Sequence, residues 1–402
     1  MSSRRRFLKG VAATVPVGIV AGAAGADEAR EPARRDYFAE LGVKPFINAA
    51  GAYSALGGAR MRDEVIDAMR YAATRKVKMS ALHDAVGERI AALAGSEAAM
   101  VTSGATAAMV LGTAACMTRG DEELMRQLPD TSGMPDEIVI QKKHRYTYDR
   151  ALTVAGSRLV EVQTEADVRS AVGERTAMMF FLQPTQQGDD IPAARYIALA
   201  KELGVPSFCD AATTTPPALN VLETVRQGFD LVCYSGGKGL RGPYSAGLLL
   251  GRVDLVGFAR RHSAPNDLSI GRGMKVSAEE YLGMLVAFET ALRIDEETDF
   301  AWKRERFAII EDALAEVPGV ITEVVLAEGH ARELYLDIDW DTESVDLSRE
   351  SFIEILRNHT PAVEVRLPLF SGGRIHLSAT VMADGEAAIV GRIIRDVLLA
   401  HA

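Results

Sequence analysis

From about residue 85 onward, short apolar runs alternate along the chain with amphipathic sequence of helical period. The runs are AAMVT (98–102), EIVIQ (137–141), LVEVQ (159–163), AMMFFLQ (177–183), VPSFCD (205–210), DLVCYS (230–235) and AGLLLG (246–251). Most lack the polar alternation of a half-exposed strand, the pattern of strands buried on both faces, and helical stretches such as PAARYIALAKELG lie between them. This predicts an α/β protein with a mainly parallel central sheet covered by helices. The segment SAEEYLGMLVAFETALRIDEE predicts a long helix leading out of that layer. After it, VITEVVL, ELYLDID, VEVRLP and RIHLS alternate with helical sequence that ends in GEAAIVGRIIRDVLLA. We therefore expect a large domain over residues 51–290 and a smaller C-terminal α/β domain over 291–402, preceded by an arm over 27–50.

The first 26 residues follow a different logic. Arg4, Arg5, Arg6 and Lys9 form a basic stretch, the mildly apolar run Gly10–Gly25 follows, and Ala24-Gly25-Ala26 supplies small residues suited to signal peptidase. Ser3-Arg4-Arg5-Arg6-Phe7-Leu8-Lys9 matches the twin-arginine pattern. The expectation is a twin-arginine signal peptide over residues 1–26, the twin-arginine translocase as a transient partner, and a periplasmic or otherwise exported protein. The apolar run is short and broken by Pro16, and nothing later approaches the roughly 20 apolar residues of a spanning helix. No stable membrane insertion is expected.

With 48% hydrophobic and 25% charged residues, the 402-residue chain has an ordinary globular composition, which excludes disorder and coiled coil. The formal charge of −10 becomes more negative once the basic leader is removed, and an acidic surface repels phosphate backbones; no nucleic-acid partner is expected. Cys116, Cys209 and Cys233 are odd in number, far apart and set in apolar sequence, so buried thiols are the expectation. The seven histidines show no metal-ligand spacing, and no metal site is predicted.

In an open parallel sheet, ligands sit at the carboxyl ends of strands, so the polar residues after each run are the candidates for chemistry. Ser103, Gly104, Ala105 and Thr106 follow AAMVT and begin a helical stretch, an arrangement that suits a phosphate; an ordinary serine cap is the alternative. Asp210 ends VPSFCD, next to Ala211 and Ala212. A carboxylate there can keep the nitrogen of a pyridine ring protonated, or simply cap a turn. Ser235-Gly236-Gly237-Lys238 ends DLVCYS, and glycines around a lysine let a bulky group approach closely. Such a lysine forms an imine once burial and nearby charge lower its pKa. His144, in KKHRYTY after EIVIQ, is a candidate to stack on a ring or to sit in a basic surface turn.

The order of these four features resembles the fold-type I pyridoxal-phosphate (PLP) enzymes, of aspartate-aminotransferase-like fold. Within them the chain resembles the selenocysteine-synthase-like group, which includes L-seryl-tRNA selenium transferase and D-glucosaminate-6-phosphate ammonia-lyase. The resemblance rests on INAAGAYSALGG, VGERIAALAGSEAAMVTSGATAA, HRYTYD, DAATTTPP, CYSGGKGLRGPYSAGLLLGR and GRGMKV. It implies PLP as cofactor, Lys238 as the Schiff-base lysine and Asp210 as partner of the ring nitrogen. It also implies Ser103, Gly104, Ala105 and Ser235 near the phosphate, His144 over the ring face, and at least a homodimer.

The activity expected from that resemblance is α,β-elimination with deamination of an amino acid or amino-sugar acid. Aminotransfer and racemisation are the alternatives. Arg272 in GRGMKV and Arg374 in GGRIHLS are candidates for gripping a substrate carboxylate, or else surface residues. The Ser235-x-x-Lys238 spacing combined with export also fits a serine acyl enzyme, although no S-D-N or K-T-G follows. A non-catalytic scaffold of the same fold is the third reading.

Overall fold

The computed structural model describes residues 35–183, 190–327, 329–366 and 373–402. The leader expected over residues 1–26 lies outside them. The chain divides into two units, 1–45 and 46–402. The described part of the first holds one short helix, Tyr37–Leu41, capped by the Asp36 side chain. No described helix is long and apolar enough to cross a membrane.

The described strands are β1 (Phe46–Asn48), β2 (Ala98–Thr102), β3 (Glu137–Gln141), β4 (Arg158–Val162), β5 (Thr176–Leu182), β6 (Ser207–Asp210), β7 (Leu231–Ser235), β8 (Gly247–Gly251), β9 (Val320–Leu326), β10 (Leu334–Trp340), β11 (Ala362–Glu364) and β12 (Ile375–Ser378). Seven form the central sheet in the order β2-β8-β7-β6-β5-β3-β4. The β3–β4, β3–β5, β5–β6 and β6–β7 pairs are parallel, while β8 runs antiparallel to both β7 and β2. The carboxyl ends of β2, β3, β5, β6 and β7 therefore share one edge with the start of β8. In register, Thr102 and Ser235 both face Gly247, and Asp210 lies between Leu182 and Cys233.

The uninterrupted apolar runs have a direct cause. In β5 every residue is buried, and Met179 and Phe181 pack into one apolar cluster while Met178, Phe180 and Leu182 pack into another. Both faces of the sheet are thus covered, as two-sided apolar strands require. The helix Gly104–Thr118 is buried from Ala107 onward, and its apolar, small-residue sequence suits an element packed on all sides. A Cβ at Gly112 would lie 2.5 Å from the Phe208 ring, so glycine there sets how closely this helix approaches the sheet.

The sequence around residues 277–297 departs from the single long helix expected. One helix, Ala278–Ala291, starts in a Ser277–Glu280 capping box, and a second, Glu296–Leu314, starts where Asp295 accepts from Thr298 N. The IDEE residues thus divide at a helix start, because an aspartate side chain satisfies free N–H groups there. Strands β9, β10 and β12 form a separate antiparallel sheet over a cluster that includes Phe307, Trp340, Phe352 and Ile394. β1, within the stretch expected as an arm, pairs in parallel with β11. Cys116, Cys209 and Cys233 are free and buried.

Candidate active site

Asp210, the last residue of β6, is only 3% exposed, and both its carboxylate oxygens have partners. Oδ1 accepts from Ala212 N at 2.8 Å, and Oδ2 accepts from the Tyr146 hydroxyl. Burial, and after it the Asp210 charge, raises the Tyr146 phenol, so it stays protonated and donates.

Lys238 lies in the turn that follows β7. Burial lowers its pKa, against the opposing pull of Asp210 and Cys233. The glycines beside it serve a purpose other than ligand approach. A Cβ at Gly236 would meet Ala246 O at 2.8 Å, one at Gly237 would meet Tyr244 O at 2.7 Å, and one at Gly239 would meet Pro216 N at 2.3 Å. They let two backbone segments, one at Tyr244–Ala246 and one at Thr215–Pro216, close around the lysine turn. Ser235 is the final residue of a strand and Lys238 stands in a turn, so the two do not share the helical face that a serine acyl enzyme uses.

Between β2 and the buried helix, Ser103 occupies the N-cap position without using its side chain as a cap, and Gly104 turns the chain through a left-handed φ of 82°. The Ser103 hydroxyl and the first N–H groups of the helix are thus available to an anion. A Cβ at Gly247 would fall 2.4 Å from Gly104 C, so glycine lets β8 start directly against this turn.

Ser103, Gly104, Ala105, Thr106, Asp210, Ala212, Ser235 and Lys238 all line one cleft of about 1100 Å³, including its open mouth. Three predicted residues are not brought to it. His144 is fully buried behind the β3 edge: its Nδ1 accepts from Leu182 N at 3.1 Å, and its ring meets Phe181 edge-on at 4.5 Å between centroids. Its Nε2 lies 3.7 Å from Asp190, and burial lowers its pKa to about 4. Tyr146, two residues on, reaches the cleft in its place. Arg272 sits 3.5 Å from Asp267 in a surface ion pair, and Arg374 pairs with Glu323 at 2.7 Å on the separate sheet.

Besides Tyr146, sequence reasoning missed Met109, Tyr244 and Ser54 in the cleft wall. Tyr146 stood in the HRYTYD motif, which was the available signal. Arg366 was also missed: it hydrogen-bonds the Tyr53 hydroxyl and stacks 4.6 Å from that ring, next to Ser54.

The donor set fits PLP. An unused N-cap hydroxyl at a helix start, a doubly hydrogen-bonded strand-end carboxylate and a half-buried lysine of lowered pKa surround one cleft. Solved structures agree on the fold. The chain is similar to D-glucosaminate-6-phosphate ammonia-lyase, with a TM-score of 0.81, 24% identity and coverage of 92% of this chain and 99% of that one. It also resembles a serine palmitoyltransferase from S. paucimobilis solved with PLP and myriocin, with a TM-score of 0.54, 11% identity and coverage of 89% of each chain. The fold class is that of the PLP-dependent fold-type I enzymes.

Sequence relatives narrow the class. Over 379 residues, 90% of this chain and 92% of the relative, it is 32% identical to a 5'-C-glycyluridine monooxygenase-decarboxylase from Streptomyces sp. It is 26% identical to the D-glucosaminate-6-phosphate ammonia lyase of Salmonella typhimurium, over 90% of this chain and 97% of that one. An L-seryl-tRNA(Sec) selenium transferase from Edwardsiella ictaluri matches at 29% over 47% of this chain and 42% of its own. No family model matches the chain. The chain belongs to the fold-type I PLP-dependent enzyme family that unites these relatives, and it is an enzyme.

Proposed function

We propose that this enzyme removes ammonia from an amino acid or amino-sugar acid that carries a β-hydroxyl, with Lys238 as its Schiff-base lysine. The observation that carries the reading is the convergence of Lys238, Asp210 and Ser103 on one cleft. Similarity to an ammonia lyase over 90% of the chain supports the reaction class. Bound PLP supplies an electron-withdrawing ring that stabilises the negative charge left when the α-proton departs.

In this reading Ser103 and the helix start hold the phosphate, and Asp210 keeps the ring nitrogen protonated. Tyr146 and Ala212 N fix the Asp210 carboxylate. The Lys238 amine, its pKa lowered by burial, takes the α-proton as general base. The β-hydroxyl leaves as water, and hydrolysis then gives a 2-oxo acid and ammonia. Arg366, held against Tyr53 next to the cleft residue Ser54, replaces Arg272 and Arg374 as the candidate to meet the substrate carboxylate.

The test is a screen of PLP-saturated protein against β-hydroxy amino acids and amino-sugar acids under anaerobic conditions. Ammonia and a 2-oxo acid should form in equal amounts. The 32% identity to a monooxygenase-decarboxylase favours a second reading, in which dioxygen is consumed and the substrate carboxyl leaves as carbon dioxide. Turnover that requires dioxygen and releases carbon dioxide would select it.

A further inference from the structure

A second cavity, of about 450 Å³ including its mouth, shares no lining residue with the cleft. Gly239 and Arg241, from the turn that carries Lys238, line it together with Arg62 and Pro216. Its cations are unequally partnered. Lys303 Nζ lies 2.6 Å from Asp299 and 2.9 Å from Glu333, and Arg332 donates to Glu296. Arg62 and Arg241 spend donors only on backbone: Arg62 NH1 donates to Leu240 O at 3.1 Å, and Arg241 Nε donates to Arg60 O at 2.9 Å.

Among the described residues, neither of these two guanidiniums forms an ion pair with a carboxylate. Each guanidinium has five N–H donors, so most of both forks is unused by the protein. The acids in the wall are engaged elsewhere: Asp295 caps Thr298 N, Glu296 holds Arg332 and Asp299 holds Lys303. The two cations also disfavour each other. Burial, joined by the charges of Arg62 and Arg60 and only partly opposed by Asp299, brings Arg241 down to about 10. Burial likewise lowers Arg62, against the weaker pull of the Asp299 and Glu64 charges. Arg241 is held besides at a φ of 55°, a left-handed conformation uncommon for a residue with a side chain.

Two half-buried like charges without an ion-pair partner are costly unless a counter-charge joins them. We propose that this cavity binds a small oxyanion of the phosphate or carboxylate class, held between the guanidiniums of Arg62 and Arg241. The planar forks match either group bidentately. Because Arg241 N donates to Lys238 O at 2.9 Å, the anion would sit one turn from the lysine of the cleft.

The test uses full-length protein saturated with PLP, so that phosphate cannot occupy the Ser103 cradle. Inorganic phosphate, and malonate in a parallel arm, are titrated at constant ionic strength against a chloride control, with calorimetry and thermal melting as readouts. Saturable binding of at least one of them is expected, and the arm that binds identifies the class. Arg62→Met and Arg241→Met should each weaken it about tenfold or more. Arg62→Lys, which keeps the charge and loses the fork, is the second variant should either fail to fold, and it too should weaken binding. Absence of saturable binding by the wild type overturns the site, as does undiminished binding in the folded variants. Dissociation of the oligomer in the Met variants, without anion binding by the wild type, would assign the two arginines to a partner copy's carboxylate and also overturn it.

Discussion

Tyr146 ties Asp210 to the cleft wall, and removing its hydroxyl is the mildest perturbation of that pair. Tyr146→Phe leaves Asp210 Oδ2 without this donor at a position only 3% exposed. A buried acceptor that loses its partner costs about 1–3 kcal/mol. We expect a loss of that size in urea unfolding, together with weaker PLP retention in equilibrium dialysis. Unchanged values for both would remove Tyr146 from the site. Lys238, Asp210 and Ser103 were legible in the sequence because each ends or follows a two-sided apolar run, and such positions lie on the ligand edge of a parallel sheet. His144 and Tyr146 were not separable in that way. Which side chain faces the cleft, at the end of the short 3-10 turn Lys142–His144 or just after it, depends on tertiary contacts, here the Leu182 N–H that claims the His144 ring from a strand distant in sequence.

Buried histidines also give the fold a pH signature. Burial lowers His144 and His262 to about 4 and His83 to about 3, against an ordinary value of 6.5. Between those limits the unfolded chain binds protons that the folded chain refuses. Stability from these residues is therefore complete above pH 6.5 and declines as the pH falls toward 4. The urea midpoint should be lower at pH 5 than at pH 7.5. A midpoint that stays level or rises at pH 5 would contradict the neutral, buried assignment.

At the scale of elements, the strands were readable nearly residue by residue, since β2, β3 and β9 coincide with the apolar runs that predicted them. The helix break at Leu292–Asp295 was hidden because apolar and acidic residues continue through it, and only the Asp295 side-chain bond marks the new start. Glycines inside helices separate two effects that sequence cannot. Gly112→Ala gains up to about 1 kcal/mol of helix propensity. It also drives a Cβ to 2.5 Å from the buried Phe208 ring, where overpacking costs about 1–3 kcal/mol. A net loss in urea unfolding is expected. Gly257, in the helix Val253–Arg261, has nothing within 4 Å of a built Cβ, so Gly257→Ala should instead gain about 0.5–1 kcal/mol. If Gly112→Ala gains stability as Gly257→Ala does, the packing account of Gly112 fails.

For the whole molecule, the sequence foretold a parallel sheet but not its order, because the antiparallel insertion of β8 between β2 and β7 is set by packing across distant segments. That insertion brings the Ser103 turn beside the end of β7, and so places that turn and Lys238 on one edge. We also propose export of the chain by its twin-arginine leader: Arg4→Lys with Arg5→Lys should hold the protein inside the cell, seen by fractionation. Export that persists in the double variant would dismiss that route. The central claim is that Lys238 carries the cofactor. Protein equilibrated with PLP, reduced with borohydride, digested and mapped by mass spectrometry should bear the pyridoxyl group on Lys238, and Lys238→Ala should bear none. A pyridoxyl group on any other lysine, or none on wild-type protein that retains PLP, would contradict it.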